Sequence, residues 1–302
     1  MGIADSSGAI YCKDGIDLIK ILNWKKENGS LKAMNAFQNK VRDSEHLFKI
    51  ALENKVDVIL DLAPCGNTIT PRIIKSALSN GIDCVLANKA PLSTEFQYLQ
   101  NLSDTHGAKI AYSATICGGL PVANVASRDL IGCNVESIHG IFNSTSNFIL
   151  SEMRRGQSRD SALKEAQKRG IAEADPSLDI RGYDSAYKLV ILANTMNIRA
   201  KMSDVSIEGI ENVKASEIRE AVEKRKNVIR LVASLTREKK SGSYTFSVRP
   251  MEVKIDSYLG SCDGTSMCVQ FRTDIYETIS MMTDEKGVYP TSAAILRDIL
   301  SL

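Results

Sequence analysis

Residues 56–92 read VDVILDLAPCGNTITPRIIKSALSNGIDCVLANKAPL, and their texture decides the fold. VDVILDLAP (Val56 to Pro64) is a short apolar run ending at a turn, the pattern of a strand buried on both faces. PRIIKSALSNG has helical spacing, with a proline fit for the first turn and Gly81 as its stop. IDCVLANKAPL is a second buried strand, and AKIAYSATI, residues 108–116, reads as a third. Strands joined through helices in this rhythm run parallel, so the first third predicts an α/β, doubly wound parallel sheet.

After Pro121 the texture changes. VANVASRDLIG reads as a helix and VESIHGIFNS as a strand. A helix ending near Gly156, a basic helix from Arg159 to Arg169 and an apolar helix from Ser185 follow. SYTFSVRPMEV and SMCVQFRTDIYETISMMT alternate like antiparallel strands, and SAAILRDIL closes the chain as a helix. This second part is α+β.

Composition narrows the function classes. The 302 residues are 43% hydrophobic and 25% charged, enough to bury a full core in two domains, and the net charge of +2 is near balance. No basic block or zinc-finger spacing suggests nucleic acid. The longest apolar stretches fall far short of the roughly 20 residues that cross a bilayer. No secretory leader is evident, so the expected location is cytoplasmic. Seven scattered cysteines without a CxxC pair read as reduced packing thiols.

Two stretches carry the candidate chemistry. MGIADSSGAIY places Asp5 and Ser6 after a short apolar lead, as where an acid meets the adenosine ribose at the end of a second Rossmann strand; a plain surface turn is the alternative. No strand–GxGxxG–helix precedes it, so the first strand and the phosphate-cradling turn are expected upstream of Met1. GIAEADPSLDIRGYDSAYKLVILAN (Gly170 to Asn194) leads through Glu173, Asp175, Asp179 and Asp184 to Lys188, at the edge of an apolar wall. Asp184 and Lys188 stand four apart on one helix face. They form either an exposed ion pair or a proton-transfer pair whose lysine pKa is lowered by burial. A calcium loop counted from Asp175 fails, with Ile180 at the glycine position and Ala186 at the twelfth.

This second stretch closely resembles the signature of the homoserine dehydrogenase family. ADSSGAI, ANKAPL (Ala87 to Leu92), YSATICGGLPV (Tyr112 to Val122), GIFNSTSNFIL (Gly140 to Leu150) and DGTSMCVQFRTD (Asp263 to Asp274) resemble further family blocks, in family order. The resemblance implies NAD(P)-dependent interconversion of L-homoserine and L-aspartate 4-semialdehyde, a step of threonine, methionine and isoleucine biosynthesis. It implies Lys188 as the proton carrier, with Asp184 and Lys89 beside it as catalytic residues. Glu173 and Asp179, with Asn143 and Thr145 of NSTSN, would hold the substrate; Ser144 or Thr145 could equally cap a helix. Asp5, Ser6, Ala63, Pro64, Asn88, Lys89 and Gly287 would meet the NAD or NADP cofactor, and Asp5 would favour NAD. A monovalent cation such as sodium would sit on the carbonyls of Ser113, Ile116, Gly118 and Leu120, although Ser113 stands where the family usually has Glu.

The same resemblance sets the expected domains: 1–121 for the dinucleotide, 122–280 for substrate binding and dimerisation, and 281–302 as a helix returning to the first. It also implies a homodimer and, with no regulatory extension, no allosteric amino-acid site. The cofactor side departs from the family. Asp284 and Glu285 stand in its glycine-rich segment, of which only Gly287 remains, and Ala63 replaces a Thr. A degenerate relative that binds substrate or a partner without hydride transfer is therefore the alternative.

Overall fold

The structure, a computed structural model, describes residues 1–31, 41–65 and 67–302. It forms two compact units: Met1–Asn88 with Tyr98–Ala111 and Leu302, and Lys89–Gln97 with Tyr112–Ser301.

In the first unit, β1 (Gly2–Asp5) pairs antiparallel with β2 (Gly8–Tyr11), Asp5 facing Gly8 across Ser6 and Ser7. The stretch expected to run as a Rossmann strand is thus one arm of a hairpin. The cause is local: Asp5 Oδ1 accepts the N–H groups of Ser7 at 2.7 Å and Gly8 at 3.1 Å, which turns the chain back. Helix α1 (Leu18–Asn28) is capped by Asp17, whose carboxylate accepts two first-turn N–H groups, and stops at left-handed Gly29. Helix α2 (Ser44–Glu53) is capped likewise by Asp43. Ile10, Ile16, Ile21 and Leu31 close a small core here.

The decisive stretch folds as its texture requires. β3 (Val58–Asp61), α3 (Thr70–Ser79), β4 (Asp83–Leu86), α4 (Ala90–His106) and β5 (Ile110–Ala111) follow in turn, and β3, β4 and β5 pair parallel in that order. Ile74, Ala77 and Leu78 of α3 are fully buried. The end of IDCVLANKAPL leaves the strand: Ala90, Pro91 and Leu92 open α4, which breaks helical geometry at Glu95.

The second unit takes the start of α4 (residues through Gln97) and continues with a 3₁₀ turn, Ser113–Thr115, and α5 (Val122–Asn124), which runs into a π turn over Val125–Asp129. Then come β6 (Val135–Ile141), α6 (Ser144–Arg154), α7 (Arg159–Lys168), α8 (Ser177–Ile180), α9 (Tyr183–Thr195), β7 (Val205–Ile207), α10 (Ala215–Arg225), β8 (Asn227–Arg237) and β9 (Tyr244–Lys254). The last elements are α11 (Tyr258–Ser261), β10 (Met267–Thr273), β11 (Glu277–Thr283) and α12 (Tyr289–Ser301). The sheet order is β11-β10-β6-β8-β9-β7, antiparallel except between β7 and β9.

Register divides the faces of this sheet. Phe271, Ile138, Leu235 and Phe246 lie opposite one another and are buried. Gln270, His139, Ser234 and Ser247 form a polar row on the other face, which also carries buried Val228, Arg230 and Val232 of β8. Helix α9 packs on the sheet with Leu189, Val190, Ile191, Leu192 and Ala193 fully buried. Each larger side chain there contributes about 1.5–3 kcal/mol over exposure.

Candidate active site

The site residues of the second unit converge through three short structures. Asn143 ends the loop after β6 and caps α6: its Oδ1 accepts the Ser146 N–H at 2.8 Å. Asn143 is thus the cap, not Ser144 or Thr145, because its extended backbone sets the side chain over the first turn. Helix α8 carries Asp179, and α9 starts at Gly182, whose φ of +84° lets the chain turn between them. A Cβ there would press on Val248 at 3.2 Å.

At the centre, the Lys188 ammonium donates to the Phe142 carbonyl at 2.6 Å and meets Asp184 Oδ2 at 2.7 Å. Lys89 reaches Asp184 Oδ1 at 3.5 Å. The Asn143 amide donates to both Asp179 Oδ1 (2.7 Å) and Asp184 Oδ2 (2.9 Å), fixing the two acids beside each other. Asp184 and Lys188 are no exposed pair, since their side chains are 12% and 11% accessible.

The electrostatics differ from the sequence expectation for the lysine. Burial disfavours the Lys188 ammonium, but the Asp184 charge outweighs burial and the net shift is upward. Burial likewise raises Asp184, yet Lys188 and Lys89 together pull it well below the usual carboxylate range. Asp179 goes up, through burial first and the Asp184 charge second. The Cys117 thiol, fully enclosed near this pair, is pushed up to about 12, mainly by burial.

The other expected substrate residues fall in different places. Thr145 stays with the cluster: it is buried with its hydroxyl against Asp179 and donates to the Ile171 carbonyl at 3.0 Å. Glu173 is exposed on the loop before α8, where its backbone carbonyl takes a bond from Gln167. Asp175 accepts the Ser177 N–H at 3.1 Å and caps the turn with Pro176.

The expected cofactor residues divide between the units. Asp5, Ser6, Ala63, Pro64 and Asn88 belong to the first, Lys89 and Gly287 to the second. Asp5 pairs with Lys25, so its negative charge is compensated and its carboxylate alone does not oppose a 2′-phosphate. At the ends of β3 and β4, buried Asp61 accepts the Ala63 N–H at 3.1 Å and the Asn88 amide at 3.1 Å, and Asn88 also donates to Thr70 at 3.2 Å. Asp61 thereby orders two nominated residues, a role hidden in DLAP because nothing there marks its partner 27 positions on.

Among the carbonyls nominated for a cation, that of Leu120 accepts the Val122 N–H at 2.7 Å and that of Ser113 the Ile116 N–H at 3.5 Å. Ser113 itself bonds the buried Asp298 of α12 through its N–H at 2.7 Å and through its hydroxyl. No group of three or more His, Cys, Asp or Glu side chains among the described residues could hold a metal ion.

The arrangement is a protonated lysine at the edge of an enclosed polar cluster, two acids set against it, and a second lysine behind. It can give a proton to a carbonyl oxygen and withdraw one from a hydroxyl. Residues 121–300 match the family model for homoserine dehydrogenase, and residues 1–95 match that for Glutamate/Leucine/Phenylalanine/Valine dehydrogenase. The chain is 34% identical to the homoserine dehydrogenase of Methanocaldococcus jannaschii, over 100% of this chain and 88% of that one. The crystal structure of a putative homoserine dehydrogenase from Archaeoglobus fulgidus superposes with a TM-score of 0.86 at 34% identity, covering 99% of this chain and 87% of the other. A hyperthermophilic archaeal homoserine dehydrogenase in complex with NADPH superposes at 0.83 with 27% identity, covering 99% and 86%. With the matched model spanning residues 121–300 and the relative spanning the whole chain, this protein belongs to the homoserine dehydrogenase family.

Proposed function

We propose that the chain interconverts L-homoserine and L-aspartate 4-semialdehyde with NAD or NADP. The observation that carries this reading is the enclosed Lys188–Asp184 pair, 2.7 Å apart, with Lys89 on the far oxygen of Asp184. In reduction, Lys188 donates its proton to the aldehyde oxygen; in oxidation it takes the proton from the homoserine hydroxyl. Asp184 holds the ammonium in line, and Phe142 supplies the carbonyl that fixes its approach. Asp179 and Glu173 offer carboxylates for the substrate ammonium, and the Thr145 hydroxyl stands against Asp179. The nicotinamide supplies hydride transfer when bound. Asp5, Ser6, Ala63, Pro64, Asn88, Lys89 and Gly287 are the residues offered to it, on one unit or the other, and a sodium ion on the 113–120 carbonyls belongs to the same proposal.

The cytoplasm suits such a biosynthetic step and its free thiols. The described residues include no helix long and apolar enough to cross a membrane. A homodimer formed through the sheet of this unit completes the reading, and sedimentation equilibrium checks it. The direct test is nicotinamide reduction by the purified chain with saturating L-homoserine, using NAD and NADP in parallel. Turnover lost in Lys188→Met supports the assignment; turnover retained there removes it.

A further inference from the structure

The loop from Cys117 to Leu120 is built to receive a hydrogen-bond acceptor. Cys117 and Gly118 both take left-handed backbone angles, φ of +55° and +59°, and the Gly119 N–H that follows is aimed at a side-chain acceptor. Left-handed Cys117 is a strained position that the loop must hold in place. No side chain fits at the two glycines. A Cβ on Gly118 would strike the Glu285 carboxylate and meet Thr291 Oγ1 at 3.1 Å, and one on Gly119 would lie 2.8 Å from Pro290 Cβ.

This cradle is filled by the chain itself. Glu285 Oε1 accepts the Gly119 N–H at 2.8 Å, and the Leu120 amide adds a weaker attraction. Glu285 sits on the segment between β11 and α12, and its carboxylate lies within electrostatic reach of Lys188. The cradle therefore flanks the group that moves the proton.

The proposed dehydrogenase reaction, on which this inference rests, requires the hydride carbon to come within about 3–3.5 Å of the substrate carbon whose oxygen Lys188 serves. The carboxamide beside that carbon then needs an acceptor site near Lys188, and the glycine cradle is one. Glu285 and the nicotinamide do not fit there together. We infer that Glu285 is an internal occupant of the Gly118–Gly119 cradle that competes with the nicotinamide group, so cofactor binding requires the segment between Thr283 and Tyr289 to withdraw.

Occupancy and charge make different predictions. In Glu285→Gly the cradle is vacated. In Glu285→Gln the charge is removed, but the side-chain carbonyl can still accept from Gly119. NADH and NADPH are titrated into the full-length chain and both variants by nucleotide fluorescence, with L-homoserine affinity measured separately by calorimetry and folding checked by melting. The expected result is affinity for the reduced cofactor about tenfold tighter in Glu285→Gly, near the original in Glu285→Gln, and equal L-homoserine affinity in all three. Equal cofactor affinity in all three proteins overturns the inference, and so does equal tightening in both variants, which would make the effect one of charge. If none of the three proteins binds NADH, NADPH or L-homoserine, the dehydrogenase reading itself fails and takes the inference with it.

Discussion

Lys188 shows how a single partner reverses a residue's expected chemistry. A lysine beside Leu189 and Val190 should lose its proton easily, but Asp184 at 2.7 Å holds it charged. Homoserine oxidation needs that proton gone, so its kcat rises with pH through the alkaline range, whereas aldehyde reduction is supported at neutral pH; initial rates in both directions test this. Lys188→Met lowers kcat about 10²–10⁴-fold with a smaller change in KM. Asp184→Asn leaves the enclosed Lys188 and the half-buried Lys89 without their carboxylate and costs about 3 kcal/mol at neutral pH. Because the folded state holds Asp184 below its unfolded pKa, that contribution is present above the unfolded value and lost as pH falls. The melting difference between Asp184→Asn and the parent should therefore shrink on acidification below about pH 4. The four-residue spacing made the pair legible. The Asn143 bridge was not, since its amide meets Asp184 across 41 positions and only folding reveals it.

At the scale of elements, the legible parts were those whose periodicity repeats. The β3–α3–β4 run and helices α6, α7 and α9 follow from apolar spacing. α1 and α2 escaped reading because their buried faces are thin: α1 buries only Ile21, and the side chains of α2 are half-buried or exposed. Strand β8 escaped for a different reason. Its fourth residue, Arg230, is fully buried, a charge where a strand core predicts an apolar side chain. It donates to Ser151 at 2.9 Å, Asp263 at 3.0 Å and the Gly260 carbonyl at 3.1 Å, which ties α6, α11 and the following loop to the sheet. Arg230→Ala should cost about 3–5 kcal/mol by denaturant titration. Arg155→Ala, which removes a more exposed partner of Asp263, should cost about 1 kcal/mol or less.

For the whole molecule, the sequence blocks carried the family because they are local, while the closure of the glycine cradle by Glu285 depends on a contact 166 positions apart. The cysteines add a property of the entire fold. Cys12, Cys65 and Cys133 are half-buried, whereas Cys84, Cys117, Cys262 and Cys268 are buried. Cys84 and Cys117 are both held up to about 12, mainly by burial, and the thiolate is the form that reacts. Treated with a thiol-specific aromatic disulfide, the native protein should release chromophore in two phases, three equivalents quickly and four at the rate at which the structure opens. Cys84 lies in the first unit and the other three in the second, so modification mapped by mass spectrometry becomes a clock that times the opening of each half separately.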